Sequence, residues 1–165
     1  ITKLAGEKHV KSIGGKCFRF ATAAGVSPKM RLNLLPNYMS YEAVKNKNLN
    51  VFEPDNMRTF IDIRDFSDSL IFGIENFDRL NYDVYNVGDE RNNWSKRKIA
   101  QYIQEKTGCF LTFNETDKDA DARNYSCSYE RINSSGFTCK YGIEDTIDEL
   151  LEVVPYLEGD LSRYE

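Results

Sequence analysis

Two hydrophobic periods alternate along the chain, one helical and one strand-like, and their succession gives the first outline of the fold. ITKLAGEKHV places Ile1, Leu4 and Ala5 at helical spacing among charged residues. It predicts a helix that stops at the Gly14–Gly15 pair of SIGGK, where a residue free to take positive φ ends a helix. KCFRFATAAG is an aromatic run closed by small residues, the pattern of a buried strand. VSPKMRLNLLP reads as an irregular, mildly basic link, NYMSYEAVKN as a helix, and NVFEP as a strand ended by proline. RTFIDIRDF alternates Phe60, Ile61 and Ile63 with polar partners and runs into DFSDSLIFGIENF. There Phe66, Leu70, Ile74 and Phe77 mark one face of a helix, with Asp65 as its candidate N-cap.

The clearest unit follows. YDVYNVG predicts a strand leading into a turn shaped by Asn86 and Gly88. NNWSKRKIAQYIQEKTG predicts a helix with Ser95 as its cap, Ile99, Tyr102 and Ile103 on one face, and Gly108 as its stop. CFLTF reads as a strand. Beyond the charged loop TDKDADARNY and a polar stretch, Ile143, Ile147, Leu150, Leu151 and Val154 share one face of a closing helix, and EGDLSRYE reads as a frayed tail. Strands alternating with helices imply an α/β protein with a largely parallel sheet.

Composition narrows the chemistry. A chain of 165 residues with 41% hydrophobic and 13% aromatic content suits one domain, or most of one, with a real core. A net charge of -4 and a pI near 5.2 argue against nucleic acid and anionic membrane surfaces, which reward a concentrated basic face. An anionic ligand must then be met by a few placed basic residues. Cys17, Cys109, Cys127 and Cys139 are widely spread and His9 is the only histidine, so no metal site is expected. Cys17 and Cys109 fall in apolar strand-like runs where a free thiol packs as a small hydrophobe. That implies a reduced, cytoplasmic setting. No stretch approaches the length of a membrane span.

Standard catalytic devices are missing from the sequence, which has no G-x-S-x-G elbow, no Walker loop and no G-x-G-x-x-G. The glycines of SIGGK follow a predicted helix instead of joining a strand to one, so they cannot cradle a phosphate at a helix N-terminus. Read from the residues alone, Lys3 is a solvated helix lysine, Thr22 a buried hydroxyl, Asn33 a loop or capping asparagine and Arg58 a surface arginine. The aspartates of TDKDADA read as a solvated loop.

The order of several modest motifs carries more. A lysine-bearing helix precedes RFATAAG, NLLPNYM, RTFIDIRD, YNVGDERNNWSKRKIA and DARNYSCSYERINSSGF. This succession resembles the C-terminal half of the extended short-chain dehydrogenase/reductase family, in particular its nucleotide-sugar epimerases and dehydratases, over residues 1 to about 157. The resemblance implies the C-terminal part of a Rossmann-like doubly wound parallel sheet interleaved with a small α/β substrate-binding lobe. Residues 1–25 and 58–88 would belong to the nucleotide-binding domain, and residues 26–57 and 89–165 to the substrate lobe.

By that resemblance TKLAGE matches the segment around the lysine of Tyr-x-x-x-Lys, making Lys3 the motif lysine that holds the cofactor ribose and lowers the tyrosine pKa. The tyrosine would fall two positions before Ile1, so the chain is expected to start within this helix and to be inactive alone. Phe20 would lie beside the nicotinamide of NAD or NADP, and Thr22 would touch the sugar. Asn33, before Leu-x-Pro, would contact the nucleotide diphosphate. Arg58 would grip the same diphosphate with its planar fork. Arg123 would add a phosphate contact and Asp121 a ribose contact, although many members carry an arginine where this chain has Asp117. The implied partners are a nucleotide sugar and either a second copy or a complementing N-terminal half. A non-catalytic nucleotide-sugar-binding or subunit-interaction module is the alternative.

Overall fold

In the computed structural model, which describes residues 2–114 and 123–157, helices and strands alternate as the periodicity predicts. Helix α1 (Thr2–Ser12) turns at Gly14 into β1 (Cys17–Phe20), and β2 (Thr22–Ala24) continues from β1 after one residue. Then come α2 (Leu35–Lys45), β3 (Asn48–Phe52), β4 (Met57–Asp62) and α3 (Ile63–Glu75). The second half holds β5 (Val84–Val87), β6 (Asn93–Ser95), α4 (Lys96–Thr107), β7 (Phe110–Asn114), the short α5 (Glu130–Ser134) and α6 (Ile143–Val153).

The strands form three small sheets, where one largely parallel sheet was expected. β1 pairs with β5, β2 with β4 and β3 with β7, all parallel, while β6 joins β4 antiparallel. Ala21 is the switch point: its N–H donates to Val87 O, and the next residue leaves β5 for β4. Strand β6 lies where the sequence reads as the approach to a helix, because three residues carry no strand period and its pairing to β4 is long-range.

Two cores result. One packs β3, Phe60, Trp94, Ile99, Ile103 and Ile147 between α2, α4 and α6. The other packs Ile61, Tyr85, Val87, Tyr129, Ile132 and Phe137 around the β1–β5 sheet. Adjacent residues of β4 thus serve opposite cores, as strand alternation requires.

Local signals explain α4 well. Ser95 Oγ accepts from Lys98 N at 3.2 Å, and Gly108 closes the helix at φ 67°, where a side chain would be strained.

Helix α3 differs from its prediction. Its cap is Asp62, which accepts from Arg64 N at 2.8 Å. Asp65 lies buried instead, its two oxygens accepting from Lys140 N and Tyr141 N at 2.9 Å each. The buried side of α3 carries Asp65 and Ser69, with Phe66 and Phe72 packed against the core and Gly73 against the ring of Phe18. Leu70, Ile71 and Ile74 are exposed, Ile74 by 79%, as is Phe77 just beyond the helix, so the apolar stripe of α3 faces outward. Helix α1 buries no residue, and Leu4 is 55% exposed.

Candidate functional site

Arg58 is the second residue of β4, only 5% exposed, opposite Trp94 of β6. Its Nη1 donates to Met57 O at 2.9 Å. The segment bearing Arg123 runs alongside: Asn124 Oδ1 accepts from Met57 N at 2.9 Å, and Tyr125 N donates to Met57 O at 3.3 Å. Two arginines far apart in sequence are therefore carried by backbones bonded at one residue. Arg123 is exposed, with its guanidinium 6.0 Å from the centroid of the Tyr125 ring. Asp121 and Asp117 lie outside the described residues.

Further fastenings hold the segment after Tyr125. Asn93 Nδ2 donates to Cys127 O at 2.9 Å, Asn86 Nδ2 to Ser128 O at 3.2 Å, and Glu90 Oε1 accepts from Tyr129 N at 3.4 Å. Asn86 is thus a clamp on this segment and not a turn residue. Gly88 serves it too, because a Cβ there would lie 2.7 Å from the Tyr129 ring. Burial pushes the Tyr129 phenol well above its usual range, against the pull of the neighbouring Thr59 hydroxyl.

Thr22 begins β2 opposite Phe60. Arg58 lies two residues before Phe60, so alternation puts Thr22 and Arg58 on one face of the β2–β4–β6 sheet. Phe20 packs on Phe66, ring centroids 4.0 Å apart, and is half-buried.

Lys3 is exposed near the start of α1. Helix and strand run antiparallel: Lys11 pairs with Asp83 at the start of the sheet, and Glu7 holds Arg19 through contacts of 2.7 and 2.6 Å. One further turn back, about 6 Å along the axis, brings Lys3 level with the carboxyl end of β1, where Phe20 and Thr22 stand. In open α/β sheets this is the end at which dinucleotides bind. The glycines Gly14 and Gly15 precede β1 at its opposite end and are no phosphate cradle.

Asn33 is exposed in the connection from β2 to α2. It caps nothing, since Leu34 is the N-cap and supplies no side-chain bond. Among the described residues no hydrogen bond joins it to Arg58. Asn37 holds this connection in place, accepting from Gly25 N at 3.1 Å and donating to Arg31 O at 2.9 Å.

Arg64 is committed to a buried partner. It chelates the fully buried Asp62 carboxylate through Nε and Nη2 at 2.8 Å each, reaches Glu149 at 3.1 Å, and stacks on Tyr141 with its guanidinium carbon 3.7 Å from the ring centroid. Thr146 Oγ1 adds a bond to Asp62 at 2.7 Å. The cluster ties α3, β4 and α6 together. It went unread in the sequence because Asp62 and Glu149 are far apart along the chain.

Among the described residues no group of histidine, cysteine or carboxylate side chains has metal-holding geometry, no helix is long and apolar enough to cross a membrane, and all four cysteines are free thiols. Burial pushes the Cys139 thiol up to about 12.

No protein-family model matches the chain. Solved structures do match its fold. The Helicobacter pylori ADP-L-glycero-D-manno-heptose-6-epimerase aligns at TM-score 0.74 and 20% identity, over 94% of this chain and 50% of that one. A Thermotoga maritima UDP-glucose 4-epimerase solved with UDP-glucose aligns at TM-score 0.75 and 16% identity, over 94% and 51%. A Bacillus anthracis dTDP-glucose 4,6-dehydratase in complex with NAD aligns at TM-score 0.73 and 17% identity, over 94% and 50%. The chain spans about half the length of the structures it matches, and its mixed α/β architecture with parallel strand pairs is the fold of that half of the extended short-chain dehydrogenase/reductases of nucleotide-sugar epimerase and dehydratase type.

Proposed function

We propose that the chain is the C-terminal half of an NAD(P)-dependent nucleotide-sugar epimerase or dehydratase and binds the diphosphate of its substrate. The observation that carries this reading is the bonding of the Arg123 segment to Met57, beside Arg58, in an otherwise acidic protein. A planar guanidinium meets phosphate oxygens in pairs, and two of them neutralise a diphosphate that the net charge of -4 would otherwise repel.

In this reading Arg58 and Arg123 grip the diphosphate, Asn33 adds an amide contact, and Asp121 meets the ribose of the substrate. Thr22, on the Arg58 face of the sheet, touches the sugar. Lys3 and Phe20, at the carboxyl end of β1, hold the ribose and nicotinamide of the cofactor. The cofactor supplies hydride exchange with the sugar; the chain's own residues bind and orient. Residues 1–25 and 58–88 act as the end of the nucleotide-binding domain and residues 26–57 and 89–165 as the substrate lobe, in a cytoplasmic protein.

The outward face of α3, the unburied α1 and the outer edge of β1 ask for cover. A complementing half that extends the sheet beyond β1 supplies it, with self-association as the other route. A preparation of residues 1–165 by itself is expected to bind nucleoside diphosphate without turnover.

Trp94, the only tryptophan, stands across the ladder from Arg58 and reports on the site. Titration with UDP, ADP and dTDP is expected to change its fluorescence saturably for at least one of them. No response to any, in a folded protein, contradicts the reading. A response to nucleoside diphosphate together with no binding of NAD or NADP once the complementing half is present identifies a non-catalytic binding module.

A further inference from the structure

We propose that Asn124 is a positioning residue: by accepting the Met57 N–H it completes the edge of β4 and so sets the geometry of the Arg58 and Arg123 guanidinium groups. The proposal rests on the diphosphate-binding reading for its functional consequence, but its physical content is separable from it.

Strand β4 lies between β2 and β6, and β2 begins only at Thr22, opposite Phe60. The edge of β4 before that point has no β2 residue to pair with. Backbone groups left there without partners are costly. The Arg123 segment takes the vacant place: Asn124 Oδ1 receives Met57 N–H at 2.9 Å, and Tyr125 N–H reaches Met57 O at 3.3 Å. A side-chain oxygen thus stands in for one ladder acceptor and a main-chain N–H supplies the matching donor.

Met57 O is also the acceptor of Arg58 Nη1. One peptide carbonyl therefore orients the guanidinium and anchors the segment that carries the other arginine. The other fastenings, from Asn93, Asn86 and Glu90, act on Cys127 O, Ser128 O and Tyr129 N, three to five residues beyond Asn124. Among the described residues Asn124 is the side-chain clamp next to Arg123 itself. Only an oxygen acceptor at this reach will serve. Alanine removes the acceptor, serine shortens it out of range, and aspartate retains it.

The test compares wild type with Asn124→Ala, Asn124→Ser and Asn124→Asp. Three readouts are taken: amide hydrogen exchange at Met57 and Tyr125, the Nε–H NMR resonance of Arg58, and UDP affinity by calorimetry. Asn124→Ala and Asn124→Ser are expected to speed exchange at both amides at least about tenfold, to broaden or shift the Arg58 resonance, and to weaken UDP about tenfold. Asn124→Asp is expected to restore exchange protection and the Arg58 resonance. Melting temperature controls for global unfolding, which a single bond at the surface does not cause. Unchanged exchange and an unchanged Arg58 resonance in the alanine and serine variants overturn the proposal. So does wild-type UDP affinity in a variant that has lost protection. If wild type binds no UDP, the diphosphate reading falls, while the exchange and resonance data still decide the clamp.

Discussion

Asp62 and Asp65, one helical turn apart at the start of α3, are both buried carboxylates that the fold drives in opposite directions. Burial pushes both up. At Asp62 the chelating Arg64 guanidinium, the Arg64 N–H and the Thr146 hydroxyl outweigh burial and leave the carboxyl below its ordinary value of 3.8. At Asp65 burial prevails over the two N–H donors, with Asp62 and Asp68 adding repulsion, and the carboxyl stays above 3.8.

Stability should therefore depend on pH through both, with opposite signs. The lowered Asp62 contributes stability that is present above its unfolded value and lost as pH falls through its folded value. The raised Asp65 does the reverse: its ionisation costs stability as pH rises from the unfolded value through the folded one. Denaturant unfolding of wild type and Asp62→Asn is expected to show a gap of about 2–3 kcal/mol near neutral pH that closes in strong acid. A gap that does not vary with pH contradicts this account.

Gly88 is required by a close approach and not by a turn. Its missing side chain admits the ring of Tyr129, so Gly88→Ala should destabilise by about 1–3 kcal/mol through overpacking. Combining it with Tyr129→Leu should recover part of that loss. Strict additivity in the double-mutant cycle would show that ring and glycine do not interact.

The outward stripe of α3 predicts behaviour in solution. Leu70→Lys with Ile74→Lys should reduce apolar-dye binding and light-scattering mass while leaving stability within about 0.5 kcal/mol, the usual range for exposed sites. A large loss of stability would mean that the stripe is packed.

These cases show what the sequence could and could not convey. Ser95 and Gly108 were legible as the ends of α4 because capping is local: the signal and its partner lie within a few residues, and Ser95→Ala should cost about 1 kcal/mol. Periodicity marks the apolar stripe of α3 without saying what covers it, and most of that stripe faces outward. Asp65 has the local look of a cap, but the donors to its carboxylate are the backbone N–H groups of Lys140 and Tyr141, far along the chain. Strand β6 and helix α5 are too short to carry a period. At the candidate site, Arg58 and Arg123 are singled out only by the family resemblance of the motifs that carry them. The bonds of Asn124 and Tyr125 to Met57, and of Asn93 to Cys127, are long-range and no spacing announces them.

The most direct measurement of the central claim is isothermal calorimetry of UDP binding to wild type and Arg58→Lys, with melting curves to confirm equal folding. Lysine keeps the charge and loses the fork, so the account predicts measurable wild-type affinity weakened at least about tenfold in the variant. Equal affinity in two folded proteins would show that the diphosphate does not sit on Arg58.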